Sequence, residues 1–214
     1  MGSDQGIVAS GADGITIRDS RPDDAAAIAA IYAGHVRDGL ASFEIEPPDA
    51  AEIARRRDTV LAAGWPYLVA CEAQRIVGYA YASTYRPRPA YRFTVENSIY
   101  LDPAASGRGI GGRLLRALVE ACTKRGARQM IAVIGDSANT ASIGLHASAG
   151  FRFAGVLRAA GFKHGRWVDS VFMQRAGSVT ATRAGRPIIA VESPLAGLEV
   201  TCTSQEDPVP GRLR

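Results

Sequence analysis

The stretch VENSIYLDPAASGRGIGGR, Val95 to Arg113, decides the fold. Val95, Ile99 and Leu101 are apolar, and Glu96 and Ser98 fall between them, as in a half-buried strand. Asp102-Pro103 ends the strand, because proline has no N–H to give to a ladder. Gly107, Gly109, Gly111 and Gly112 follow, and Leu114, Leu115, Leu118, Val119 and Cys122 then recur at helical spacing. Glycines without Cβ let backbone N–H groups converge at a helix start, where the helix dipole adds positive potential. The reading is strand, loop, glycine turn and helix, and it points to a phosphate-bearing cofactor.

Gly107, Gly109 and Gly112 also satisfy the dinucleotide pattern G-x-G-x-x-G. The context rejects it. In a dinucleotide fold the glycines follow the strand directly and an acid about 20 residues on holds the ribose. Here Asp102 to Ser106 intervene, and Gln129 to Ile131 offers no acid. The plain alternative is a glycine turn with no ligand.

The 214 residues predict one domain with a full core. Hydrophobic content of 47% and charge of 21% are those of a globular chain. A net charge of +4 suits small anionic ligands, and no basic run interleaved with aromatics argues for nucleic acid. Cys71, Cys122 and Cys202 form neither a disulfide framework nor a metal-ligand spacing, which fits a cytoplasmic protein without metal. No apolar run has the length of a membrane span, and MGSDQGIVAS lacks the features of a signal peptide.

Residues 1–14 read as a disordered lead-in, 15–175 as one α/β domain, and 176–214 as a flexible tail with at most a short strand at Ile188 to Val191. Within the domain, Ile15 to Arg18 is a strand. Asp19 or Ser20 caps a helix with Ile28, Ile31, Tyr32 and Val36 on its apolar face. A loop from Gly39 to Pro48 carries Phe43. A second helix opens at Pro47-Pro48-Asp49 and runs to about Ala63, with Ile53, Val60 and Leu61 inward and Arg55, Arg56 and Arg57 solvated. Tyr67 to Glu72 and Ile76 to Thr84 form a hairpin. Beyond the glycine helix, Gln129 to Ile134 is a near-continuous apolar strand, expected to be buried on both faces. Asn139 or Thr140 caps a short helix closed by Gly150. Phe151 to Arg158 and Val168 to Gln174 are the last strands, joined by AAGFKHGRW. The order predicts α/β with a mixed sheet.

The loop YRPRPAYR, Tyr85 to Arg92, leads into the deciding strand. Its prolines stiffen it. Guanidinium forks suit carboxylate or phosphinate groups, so Arg86 and Arg88 are candidates to receive an acidic substrate. The plain alternative is a rigid surface loop.

This order, with a glycine turn after the fourth strand counted from Ile15, resembles the GNAT family of acetyl-CoA-dependent N-acetyltransferases. Within it the chain is similar to the phosphinothricin N-acetyltransferases. The resemblance rests on SFEIEP at Ser42 to Pro47, YRPRPAYRFTVENSIYLDP at Tyr85 to Pro103, AVIG at Ala132 to Gly135, NTASIGLH at Asn139 to His146 and LRAAGFKHGRW at Leu157 to Trp167. It covers roughly residues 15 to 175. It implies a GNAT fold, a twisted mixed sheet whose fourth and fifth strands splay and whose faces carry helices, with acetyl-CoA in the gap. Pyrophosphate would sit on Gly107, Arg108, Gly109, Ile110, Gly111 and Gly112. Pantetheine would pair with the backbone of Ile99, Tyr100 and Leu101, and Asn139 and Ser142 would contact the cofactor. The family's loop usually opens with Gln or Arg where Ser106 stands, so Arg108 or Arg113 is expected to supply the charge.

Acetyl transfer needs a neutral amine, and even an α-amine with pKa about 8 is mostly protonated at neutral pH. A base must take the proton, and the thioester oxygen needs a donor as it gains charge. By resemblance Glu96 is the base. His146 falls where many relatives carry a tyrosine acid and is the second catalytic candidate, against a plain structural histidine. Phe43, Arg86, Arg88, Tyr91 and Val133 match the pocket of a small amino-acid-like substrate. A homodimer is also implied, with the hydrophobic hairpin region at the far side of the fold as contact. Two other functions compete: acetylation of a protein N-terminus, which needs an open groove, and a non-catalytic acyl-CoA-binding module, which would keep the glycines but not need Glu96, Arg86 and Arg88 together.

Overall fold

The computed structural model describes residues 9–10 and 14–177. The expected tail, including Ile188 to Val191, lies outside the described residues from 178 onward. Among the described residues eight strands form one sheet in the order β1-β2-β3-β4-β5-β6-β8-β7. They are β1 (Ala9–Ser10), β2 (Ile15–Asp19), β3 (Tyr67–Glu72), β4 (Arg75–Thr84), β5 (Thr94–Leu101), β6 (Gln129–Gly135), β7 (Arg152–Lys163) and β8 (Arg166–Ala176). The helices are α1 (Ala25–Asp38), α2 (Ala50–Ala62), α3 (Ile110–Lys124) and α4 (Thr140–Ser148). Ala9 and Ser10 fall inside the stretch expected to lack order, yet they pair antiparallel with Ile17 and Thr16.

The site is positioned by a change in pairing. Strands β2 to β5 are antiparallel neighbours, and β6 returns parallel to β5 after the α3 crossover. The β5–β6 ladder is short, joining only Thr94 to Asn97 with Gln129 to Ala132. Beyond it, Ser98 to Leu101 stay on β4, while Val133 to Gly135 stay on β8. The two strands therefore part, as expected for the fourth and fifth strands counted from Ile15. At the last paired position the Asn97 side-chain amide donates to the Ile131 carbonyl, 3.0 Å away, so a side chain takes over from the ladder.

Helices cover both faces. The Tyr100 ring meets Tyr32 of α1, centroids 4.9 Å apart, on one face. On the other, Leu101 lies against Gly111 of α3, where an added Cβ would approach its side chain to 3.3 Å. Ile110, Leu114, Leu115, Leu118 and Cys122 are buried, so the apolar stripe of α3 is the core contact the spacing predicts.

Several local expectations change. A 3-10 turn, Pro22 to Asp24, precedes α1. Asp24, not Asp19 or Ser20, stands at the start of α1, but it makes no side-chain cap bond: its carboxylate accepts the Arg21 N–H at 2.6 Å and pairs with Arg18 at 2.7 and 2.8 Å. Ser20 is occupied elsewhere. Arg57, expected on a solvated face, is buried, donating from Nε to Ser20 Oγ at 2.8 Å and from Nη2 to Ser20 O at 2.7 Å. Leu61, expected inward, is exposed. Strand β6 alternates buried and half-buried residues, with Ile131 and Val133 on the half-buried face. The AAGFKHGRW segment is not a loop: β7 and β8 pair through Gly161, Phe162 and Lys163, and His164-Gly165, both at positive φ, make the turn. Among the described residues no helix is long and apolar enough to cross a membrane.

Candidate active site

Where β5 and β6 part, a cleft of about 760 Å³ opens toward the start of α3. One wall is the free edge of β5, Ile99, Tyr100 and Leu101; another is Asn139, Ser142 and Leu145 of α4 and its cap; the floor is Gly107, Gly109, Gly111 and Gly112. Gly109 caps α3 at φ +74, a left-handed backbone that glycine adopts without cost. The first N–H groups of a helix have no intrahelical acceptor, so those of α3 are available to an anion. The cleft thus fits a phosphate-bearing group with a long arm. Asn139 Oδ1 caps α4 by accepting the Ser142 N–H at 3.1 Å.

Nine of the residues expected at the cofactor line this cleft: Ile99, Tyr100, Leu101, Gly107, Gly109, Gly111, Gly112, Asn139 and Ser142. Ile110 instead points into the core, 1% exposed. Arg108 is bonded to Glu72 at 2.6 and 3.2 Å, and Arg113 donates to the Ile15 carbonyl at 2.8 Å. Both arginines are thus engaged along the β2 and β3 side, and neither lines the cleft in place of the missing residue at Ser106.

On the opposite side of the strands a second cleft of about 330 Å³ is lined by Ser42, Phe43, Glu44, Glu96, Ser98, Tyr100, Val133 and Ser170, among others. Glu96, Phe43 and Val133 are therefore brought together as expected. Glu96 is partly buried, and burial pushes its carboxyl above the ordinary range while the Arg86 charge pulls it back. Arg86, Arg88 and Tyr91 are not part of this lining. They sit on the exposed loop that carries a 3-10 turn at Pro89 to Tyr91, where the Arg86 guanidinium lies 5.1 Å from the Tyr85 ring centre.

A small cavity lies between the clefts, lined by Asn97, Ser98, Ile99, Tyr100, Val133, Asn139, Ser142 and His146 among others. His146 is 3% exposed. Its Nδ1 stands 2.8 Å from the Ser142 carbonyl and its Nε2 3.0 Å from Asn97 Oδ1; both are acceptors, so the neutral ring donates to one of them and only the protonated ring to both. Burial pushes its pKa down, toward the neutral ring, against the bond to Ser142.

Other lining residues escaped the sequence reading. His35 of α1, which lines the large cleft, is 2.7 Å from the Leu101 carbonyl. Ser98 shares the strand face of Glu96, so period-two alternation alone could have placed it. Glu44 lies in an irregular segment with no periodicity; the SFEIEP motif that brought out Phe43 contains it and was the one signal that could have found it.

A model of the Acetyltransferase (GNAT) family matches residues 28–151. The chain belongs to the GNAT family. It is an N-acetyltransferase, and acetyl-CoA is its acyl donor. This GNAT enzyme is 57% identical over 160 residues to a phosphinothricin N-acetyltransferase of Alcaligenes faecalis, covering 75% of this chain and 81% of the relative. It is 40% identical over 160 residues to an L-methionine sulfoximine/L-methionine sulfone acetyltransferase of Pseudomonas aeruginosa, covering 74% and 92%. The crystal structure of a phosphinothricin acetyltransferase from Sinorhizobium meliloti in complex with AcCoA superposes with TM-score 0.75 at 48% identity, covering 83% of this chain and 96% of that one.

Proposed function

We propose that this enzyme acetylates the α-amine of phosphinothricin or a related acidic amino-acid analogue, such as methionine sulfone, methionine sulfoximine or arsinothricin. The names of the similar enzymes support the substrate class. The observation that carries the chemistry is Glu96, a partly buried carboxylate of raised pKa in the smaller cleft, on the strand whose free edge borders the larger one. A carboxylate with pKa moved toward neutrality is a better base than an exposed one.

Acetyl-CoA supplies the acetyl group as a thioester. Its anionic end would lie on the glycine turn and its arm along Ile99 to Leu101, with Asn139 and Ser142 opposite. The amine would enter the smaller cleft between Phe43 and Val133, and Glu96 would take its proton. Arg86 and Arg88 lie outside the lining and would meet the substrate's acid groups at the mouth, which supports a role in KM more than in kcat. His146 enters this proposal in a narrower role than the sequence implies. Both ring nitrogens are engaged inside the protein, which suits a residue that ties α4 to β5 where the strands part.

The enzyme would work in the cytoplasm as a homodimer. The exposed Phe162 and Trp167 beside the turn between β7 and β8 support an interface there. Sedimentation as a monomer at micromolar concentration would remove the dimer. Thiol release from acetyl-CoA, measured across a panel of acidic amino-acid analogues and a peptide with a free N-terminus, tests the function. Turnover of the analogues is expected. Turnover of the peptide alone would place the enzyme among the protein N-terminal acetyltransferases.

A further inference from the structure

The smaller cleft has one wall that is neither strand nor helix: the irregular segment Ala41 to Glu44, which carries Phe43. From the α1 and α2 side, the Tyr32 hydroxyl lies 2.7 Å from Ser42 Oγ and donates to Glu44 Oε1 at 2.9 Å. Arg56 of α2 then holds Glu44 through Nη1 at 2.6 Å. These ties all come from the first arm of the parted sheet, the arm that ends in β5.

The second arm, β6-β8-β7, reaches the same segment from the far side. Lys163 is 2% exposed, and its ammonium donates to the Ser42 carbonyl at 2.6 Å. Two residues earlier, a Cβ on Gly161 would stand 2.6 Å from the Phe43 ring, so the strand is bare where the ring lies on it. A bulge brings the strand there. The register between β7 and β8 shifts between Leu157 and Gly161, Ala159 takes φ +50, and its N–H donates to Asp169 Oδ1 at 2.8 Å.

We propose that Lys163 is a positioning residue for the acceptor: by tying the Ser42 carbonyl to β7 across the parted strands, it fixes the wall that carries Phe43 and so sets the width of the acceptor cleft. Resting on the reading of the smaller cleft as the acceptor site, this adds to that reading a residue that lines neither cleft. Burial disfavours the lysine's charge, with the Glu44 charge opposing that effect. A buried ammonium is retained only where it makes a strong contact, and its sole purpose is not shape, since a methionine would fill the same space.

The test combines Lys163→Met, Lys163→Arg and Gly161→Ala. Hydrogen exchange needs no substrate. Backbone amides from Leu40 to Glu46 should exchange at least about tenfold faster in Lys163→Met, the lower end of the ratio expected for losing one hydrogen bond to a charged donor, with α3 and β6 unchanged. In kinetics, KM for the acidic acceptor should rise about tenfold, with kcat within about threefold and the acetyl-CoA KM within about twofold. Lys163→Arg should recover much of both effects, and Gly161→Ala, which crowds Phe43, should raise the acceptor KM without the exchange change at Ser42. Unchanged exchange and unchanged acceptor KM in Lys163→Met overturn the inference. So does an equal rise in both KM values, which marks general loosening. If exchange rises as expected while the parent turns over no acidic analogue, the tie stands and the substrate class falls.

Discussion

His146 Nε2 stands 3.0 Å from Asn97 Oδ1, across the point where β5 and β6 stop pairing. Asn97 gives its amide to Ile131 of β6, and His146 Nδ1 lies 2.8 Å from the Ser142 carbonyl of α4. Three elements around the cleft are thus joined through two side chains next to Glu96.

If the pair acts as a unit, His146→Phe and Asn97→Ala should lower kcat by similar factors, about tenfold, and the double variant should be no worse than either alone. A proton-donating His146 would instead leave Asn97→Ala near the parent rate. Each variant strands a buried polar group, so a stability loss of about 1–3 kcal/mol is expected from chemical denaturation. The ring adds a pH signature. Its folded pKa lies below the unfolded value of 6.5, so the unfolded chain binds the proton first as pH falls. The histidine's contribution is therefore complete above pH 6.5 and declines below it, and His146→Phe should flatten that part of the stability curve.

Glu96→Gln should lower turnover by roughly two to four powers of ten at neutral pH, with acetyl-CoA binding little changed. A base works only when ionised, so activity is lost as pH falls through the raised pKa of Glu96, earlier than an ordinary carboxylate would allow. Arg86 holds that pKa down against burial. Arg86→Ala should accordingly shift the acid limb of kcat/KM to higher pH, and Arg88→Ala, whose charge is not among the influences on Glu96, should not. An acid limb that does not move would separate Arg86 from the base.

The deciding stretch was legible because every signal in it is local. Alternation shows the strand, Asp102-Pro103 its end, glycines the turn and leucine spacing the helix. Glu96, Phe43 and Val133 were reached through motif resemblance, and the structure brings all three to the lining of one cleft. What escaped was long-range. Arg57 sits in a run of three arginines, and nothing local says that its guanidinium finds Ser20, 37 residues earlier. Lys163 and its neighbours read as loop because Gly161 and Gly165 mimic a turn, while the bulge there, with Ala159 at positive φ, depends on Asp169 across the ladder. The half-buried face of β6, Ile131 and Val133, is as apolar as its buried face, so hydrophobicity alone predicted burial on both sides.

Arg57 supplies a stability prediction. Its Nε and Nη2 serve both oxygens of Ser20, joining α2 to the residue that follows β2. Arg57→Ala removes those bonds and the packing of the stem, and leaves Ser20 buried. A loss of roughly 1–3 kcal/mol is expected, read as a lower denaturant midpoint at unchanged slope. Arg55→Ala, on the exposed side of the same helix, should stay within about 0.5 kcal/mol of the parent.

The last prediction concerns how the anion cradle holds its ligand when Ser106 replaces the usual Gln or Arg. Two cations stand nearby in sequence, but the structure commits both: Arg108 to Glu72 on β3, and Arg113 to the Ile15 carbonyl. The cradle is then mainly backbone, the N–H groups at the start of α3 shaped by Gly107 and Gly109, both at φ +74. Such a cradle is sensitive to backbone geometry and insensitive to side-chain charge. Gly109→Ala meets no atom within 4 Å, so its effect is the strain of a left-handed backbone, about 1–2 kcal/mol, relieved by moving the first N–H groups of the helix. The KM for acetyl-CoA should rise about tenfold in Gly109→Ala, with the acceptor KM unchanged. Arg108→Ala should leave the acetyl-CoA KM within about threefold, because that guanidinium is held at Glu72. A tenfold rise in Arg108→Ala would mean that the arginine leaves Glu72 for the phosphates on binding. In that case Glu72→Gln, by releasing it, should lower the acetyl-CoA KM below that of the parent.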